Sequence, residues 1–198
     1  GAIKRIKSKS LHQVHDKHNL RPKENKTNLP EVYTFLPDDK KTFDLICSGE
    51  TEDIVFLESV GVRDFLMKLR PESIDDIAAL LALYKPNSFN LGVEKDFINR
   101  RNGVHSVLYD LSSLEPILRK TYGVIIYTEQ VIEIARAVAN LSEADADSLQ
   151  RSTGKKPWRE KKKPKEMFFE GAAHNGIPIK KIKKLYYQID KFGGCAMQ

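Results

Sequence analysis

Cysteine, tryptophan and methionine are scarce in this chain, with two, one and three copies in 198 residues. Cys47 and Cys195 lie far apart and have no ligand residues at metal spacing. That argues against a disulfide framework and a zinc site, and a reducing, cytoplasmic compartment is expected. No apolar run approaches the ~18 residues a spanning helix needs, so no membrane partner is expected. The N-terminus, GAIKRIKSKSL, carries charge without an apolar h-region and does not read as a signal peptide. Nor does it begin with Met, so the chain reads as a fragment or a processed product. There is no internal repeat.

What the chain does have is charge. Charged residues make up 30% and apolar residues 40%, with a mean hydropathy of −0.45. The length allows one core, or one core plus an appendage, with large solvated faces. The net charge of +6 favours a polyanionic partner without naming it. It is concentrated. Between Arg151 and Glu166 eight Lys/Arg face two Glu, an excess equal to that of the whole chain.

Along the chain, residues 1–36 read as a loosely patterned lead-in. His12, His15 and His18 recur at intervals of three, but only Asp16 stands near to complete a metal set, so a solvated face is the reading. Residues 37–198 read as mainly α, an irregular multi-helix domain with short extended segments. Lys40 to Ile46 is amphipathic and closes at Ser48-Gly49. Ile54 to Leu57 predicts a short buried strand or extended segment. Val62, Phe65, Leu66 and Leu69 have helical spacing, and Ser73 with Asp76 resembles a capping pair. The apolar density of Ile77 to Tyr84 predicts a core helix buried on more than one side. Lys85-Pro86-Asn87-Ser88 breaks it. Shorter helices follow at Val93 to Arg100 and Asp110 to Lys120, with Arg100 and Arg101 set against a helix C-terminus.

The central stretch runs from Thr121 to Lys156. Val124 to Tyr127 reads as a buried β-like run, with Thr128 as the N-cap of the next helix. Val131, Ile134, Ala135 and Val138 form that helix's stripe. Ser142 with Asp145 caps a second helix ending near Thr153-Gly154, its acidic residues at the start and Arg151, Lys155 and Lys156 at the end. Dipole complementation alone could explain that order. Pro157 and Pro164 bracket WREKKK, a basic insert over about 155–165 not expected to be one unbroken helix. Helical pattern resumes at Lys165, stops at Asn175-Gly176, and returns after Pro178 with Ile182, Leu185, Tyr186 and Ile189 inward. No catalytic residue and no metal ligand stands out. Glu129 and Glu133 share a helix face without a histidine to join them.

Several ordered blocks are more specific than any of these patterns: PDDKKTFDLICSGET, Leu57-Glu58-Ser59, GVRDFLMKLRP, IAALLALYKP, DFINRRNG, TYGVIIYTEQVIEIA, ADADSLQRSTGKK, FFEGAAHNGI and IDKFGG. Together, over residues ~37–194, they resemble the catalytic α subunits of bacterial DNA polymerase III, the C-family replicative polymerases, at the end of the palm and the fingers. The resemblance implies a helical fingers domain that contacts the incoming deoxynucleotide and primer–template. It also implies magnesium ions on palm aspartates, and the remaining palm and thumb regions and other replicase subunits as partners. Carried over to this sequence, the triphosphate contacts fall on Arg151, Lys155 and Lys156. The guanidinium fork of Arg151 is the strongest of the three. Arg63, Lys68, Arg70 and Lys85 are weaker candidates for DNA backbone contacts, each more simply read as solvated charge. Trp158 is a candidate for stacking on a base.

The chain also departs from that pattern. Gln150-Arg151 stands where the family has two arginines, Phe56 where a Gln precedes Leu57, and Lys85 to Ser88 where an Arg-Pro-Gly-Pro loop is usual. Ile3 to Ser8 replaces an apolar run carrying a palm aspartate, and the sequence after Phe192 diverges. Without palm carboxylates the isolated chain is expected not to polymerise DNA. The rival reading is a non-catalytic nucleic-acid-binding or interaction module derived from such a polymerase.

Overall fold

The computed structural model of the chain describes residues 39–84 and 92–193. All of these belong to the second of the two units into which the chain divides, Leu36–Gln198. The expectations for residues 1–36, the Lys85 to Ser88 break and Cys195 lie outside the described residues.

The fold is mainly α. Nine α-helices form among the described residues, and no strand does. They are α1 Lys40–Ser48, α2 Val60–Leu69, α3 Ile74–Leu83, α4 Val93–Arg101, α5 Glu115–Leu118, α6 Thr128–Ala139, α7 Glu143–Ser152, α8 Trp158–His174 and α9 Ile179–Gly193. Short 3₁₀ turns flank α5 on both sides. Local signals set several boundaries. The Asp39 carboxylate accepts from the N–H of Thr42 at the start of α1, and Gly49 ends that helix in the left-handed region. Ser73 and Ser142 accept from the N–H groups of Asp76 and Asp145, each at 3.2 Å. Both capping pairs are as the sequence predicts.

The helices pack into two apolar clusters. One gathers residues of α1 to α4 around Phe65, Leu66, Leu80 and Phe97. The other gathers residues of α5 to α9 around Val131, Ile134, Leu149, Phe168 and Ile189. The run 124–126 joins them. Val124 and Ile126 belong to the first cluster and Ile125 to the second, as the two-residue alternation of an extended chain requires. The run is buried, as its composition predicts, but it pairs with no strand. Gln130 takes a strand's place: its side-chain oxygen accepts from the N–H of Ile126 at 2.9 Å and of Tyr127 at 3.0 Å. Its amide donates to the Thr121 hydroxyl at 2.8 Å. The cap of α6 therefore falls on Tyr127, and Thr128 is already helical.

Three further expectations are corrected. Ile54 to Leu57 is a turn rather than a buried strand. Only Leu57 is buried, while Val55 and Phe56 are exposed and Phe56 has φ 69°. β-branched composition favours a strand only where a partner edge is in reach, and none is here. In α3 the buried residues Asp76, Ala79, Leu80 and Leu83 make one stripe, and Ala78 and Leu81 are exposed. Spacing, not apolar density, decided its burial. The central core helix is α6 instead, with six buried residues.

Finally, α8 runs unbroken through Pro164. An interior proline costs about 3 kcal/mol. Here it is buried, and α8 packs against α6, α7 and α9, so tertiary burial outweighs the lost hydrogen bond. One of those contacts is unusually close: a Cβ on Gly171 would stand 2.1 Å from the Ala139 carbonyl oxygen, so only glycine lets α8 cross the end of α6 there.

Candidate functional site

α7 ends at Ser152, and the chain turns through Thr153 and Gly154 before α8 begins at Trp158. Thr153 is buried and its hydroxyl donates to the Gln150 carbonyl at 2.6 Å. Gly154 has φ 81°, a conformation that favours glycine. Lys155 and Lys156 follow directly, Lys155 exposed and Lys156 half-buried.

α9 holds this elbow from behind. Asp190 is the one carboxylate of that helix. Its Oδ1 accepts from the Gly154 N–H at 3.1 Å and from Lys161 Nζ at 2.7 Å. Three residues on, a Cβ on Gly193 would lie 2.0 Å from the Thr153 hydroxyl oxygen and 2.8 Å from the Gly154 nitrogen. The last turn of α9 is thus seated directly on the elbow's backbone.

The charges around the elbow differ in how far they are committed. Arg151 Nε lies 2.9 Å from the Asp147 carboxylate one turn back, with its side chain 76% exposed. Exposed i,i+4 pairs are worth only about 0.3–0.5 kcal/mol, so such a partner is readily exchanged. Lys161 is taken by Asp190. Lys165 lies over the rings of Phe169 and Tyr186, and Lys162 over that of Trp158 at 5.5 Å. Lys155 and Lys156 pair with no carboxylate among the described residues.

Dipole complementation accounts for only one of the three candidates. Arg151 is in the last turn of α7, where a cation is favourable. Lys155 and Lys156 lie in the link between α7 and α8, outside both helices, where neither dipole calls for them. Arg159 and Lys161 then follow in the first turns of α8. Helix stability does not ask for this charge.

The weaker candidates are scattered. Arg63 donates from Nε to the Gly49 carbonyl at 2.6 Å and pairs with Glu52 at 2.7 Å, tying the end of α1 to α2. Lys68 is exposed, 4.0 Å from Asp64. Arg70 is exposed at the left-handed C-cap of α2. These three belong to the α1 to α4 side of the fold, whereas the elbow belongs to the other. Lys85 lies outside the described residues. Trp158 opens α8 with 66% exposure, next to the elbow.

Other cationic groups prove structural. Arg101 grips Asp76 with both faces of its fork, Nε to Oδ1 at 2.8 Å and Nη2 to Oδ2 at 2.7 Å, and both side chains are about nine-tenths buried. Burial alone would raise the Asp76 carboxyl. The Arg101 hydrogen bonds and charge, with the Glu72 N–H, outweigh it and hold the carboxyl below the usual carboxylate range. Arg100 donates to the carbonyls of Tyr122 and Gly123 at 3.3 and 3.2 Å. Both arginines therefore reach across the fold rather than serving only the dipole of α4.

A cavity of about 320 Å³ lies elsewhere, between α3, α4, the 123–126 run and α9. None of the candidate residues lines it, and its walls at Leu83 and Val93 flank residues 85–91, outside the described set. The elbow is where most of the candidate charge and a braced backbone coincide. No three His, Cys, Asp or Glu side chains come together at a metal among the described residues. No helix among them is long and apolar enough to cross a membrane.

Two features of this site were not read from the sequence: Asp190 and the seating of Gly193. A signal existed in the isolated carboxylate on a helix carrying Lys180, Lys181, Lys183, Lys184 and Lys191, followed at once by the Gly193-Gly194 pair.

Residues 9–176 match the family described as the bacterial DNA polymerase III alpha subunit finger domain. The match opens upstream of residue 37, so part of the lead-in shares the family's sequence. DNA polymerase III subunit alpha of Aquifex aeolicus is 40% identical over 155 residues, covering 78% of this chain and 13% of that protein. The Escherichia coli K12 subunit is 38% identical over 162 residues, 79% of this chain and 14% of its own length. The Buchnera aphidicola subunit is 34% identical over 194 residues, 96% of this chain and 16% of its own length. The chain thus corresponds to a small part of the curated relatives it matches, and by sequence it belongs to the bacterial DNA polymerase III alpha subunit finger domain family.

Proposed function

We propose that this chain is the fingers element of a DNA-directed DNA polymerase and that its elbow grips the triphosphate of an incoming deoxynucleotide. The observation that carries the reading is the charge at the elbow. Lys155 and Lys156 pair with no carboxylate among the described residues, and they lie outside both flanking helices on a backbone that α9 braces. Arg151 adds a planar fork whose present partner is weak. Preorganised cations of this kind stabilise phosphate charge without rearranging during the reaction.

Primer–template contacts are assigned more loosely to the exposed Lys68, Arg70 and Trp158. Arg63 is the weakest of these candidates because its donors are already engaged. The described residues do not offer the donor set for magnesium. In the complete polymerase the ions would sit on palm carboxylates, and they would supply the Lewis-acid chemistry of phosphoryl transfer. The remaining palm and thumb regions and other replicase subunits are the partners this reading implies, in the cytoplasm.

The test is nucleotide binding and incorporation by the complete polymerase with Arg151→Ala. Charge-assisted hydrogen bonds are worth about 1.5–3 kcal/mol, so nucleotide affinity should fall by about 10- to 100-fold. Unchanged affinity and incorporation rate would remove Arg151 from the site. A loss of DNA affinity alone would favour the non-catalytic nucleic-acid-binding module.

A further inference from the structure

We infer that Asp190 is a positioning residue for the nucleotide-phosphate site, acting through the elbow rather than on the nucleotide. This rests on the proposed role of Lys155 and Lys156. One oxygen of Asp190 accepts from both the Gly154 N–H and Lys161 Nζ, which joins α9 to the residue before the lysine pair and to the second turn of α8. The pairing does two things. It fixes the Gly154 peptide, from which Lys155 and Lys156 extend. It also neutralises Lys161, so the charge presented outward is that of the lysine pair and its exposed neighbours, not of the whole basic segment. Gly193 completes the seat, because any larger residue there would push α9 off Thr153 and Gly154.

A carboxylate beside an anion site would ordinarily weaken it. Asp190 is tolerable because its charge is consumed: its side chain is 34% exposed and lies 2.7 Å from Lys161. The residue therefore trades a small electrostatic cost for a fixed loop. A rigid loop binds its ligand without first ordering itself, and that saving appears in affinity.

The experiment uses the complete polymerase in single-turnover incorporation, with a double-variant cycle between Asp190→Ala and the pair Lys155→Ala/Lys156→Ala. Asp190→Ala is expected to raise the apparent nucleotide Kd about tenfold while leaving primer–template Kd unchanged. In the background lacking both lysines the same substitution is expected to add less than about twofold, because a group that acts through the lysines has nothing left to position. Asp190→Asn keeps an acceptor for the Gly154 N–H and should recover most of the loss. If Asp190→Ala does not fold, Asp190→Asn carries the cycle, with a smaller effect that again vanishes in the lysine-free background.

The failures are separable. If removing the two lysines leaves nucleotide Kd unchanged, the reading of the elbow itself is wrong. If that removal weakens binding but the Asp190 variants do not, or if their effect persists in full without the lysines, the positioning role is overturned and the elbow stands.

Discussion

Asp76 and Arg101 show what one buried pair does in a chain where most charges are solvated. Twenty-five residues apart, they join the first turn of α3 to the last turn of α4, and Arg101 also reaches the Leu69 carbonyl at 3.2 Å. Because the folded Asp76 carboxyl is held below its ordinary value, its contribution is fully present above the unfolded pKa of about 3.9. It is lost as pH falls through the lower, folded value. Asp76→Asn should cost up to about 3–5 kcal/mol at neutral pH, because it leaves the buried guanidinium only the exposed Glu72 carboxylate, 3.6 Å away, as a counter-charge. The variant's stability curve should approach that of the parent as both are acidified. Chemical denaturation between pH 2.5 and 7 measures this, and a deficit independent of pH would show that the carboxyl is not ionised in the fold. The capping role of Ser73 was legible from a three-residue spacing. The ion pair was not, because nothing local marks Arg101 as the partner.

At the scale of elements, the same contrast decides how much of the fold the sequence reveals. Helices with a clear stripe, such as α1, α2, α6 and α9, follow from 3.6-residue spacing and their caps. The 124–126 run was legible as buried and extended, since a β-branched stretch after a glycine has few alternatives. Its environment was not, because a strand without a sheet must find backbone partners from a side chain. Gln130 is that side chain. Gln130→Leu would leave the N–H groups of Ile126 and Tyr127 buried without an acceptor, a cost of roughly 2–4 kcal/mol. Urea denaturation should show the loss, and hydrogen exchange at those two amides should accelerate more than at the amides of α6. A variant as stable as the parent would mean that another acceptor replaces Gln130. The misjudged elements share one cause: Pro164 and the Ile54 to Leu57 turn were read from local propensity, and tertiary contacts, or their absence, overrode it.

For the whole molecule, the proposed phosphate role of the elbow has two candidate recipients, since nucleotide and primer–template both carry phosphate. The two differ in their response to salt. Each phosphate contact to duplex DNA contributes about 0.9 to the slope of log affinity against log salt. If Lys155 and Lys156 both touched the duplex, replacing them with alanine would flatten that slope by about 2. The geometry argues otherwise. The pair follows directly on an elbow whose Gly154 N–H is held by Asp190 of α9, and it comes four and five residues after Arg151, an arrangement suited to clustered phosphates. Lys68 in the last turn of α2 and Arg70 at its C-cap are exposed on the α1 to α4 side of the fold, and they are the candidates for the duplex backbone. Lys155→Ala/Lys156→Ala in the complete polymerase should therefore change the duplex salt slope by less than about 0.5, while raising the nucleotide KM by at least tenfold. Lys68→Ala/Arg70→Ala should do the reverse, weakening duplex binding and its salt dependence with the nucleotide KM intact. Measuring both ligands on both variants across a salt series separates the roles. A duplex slope that drops by about 2 in the elbow variant would assign the lysines to DNA instead.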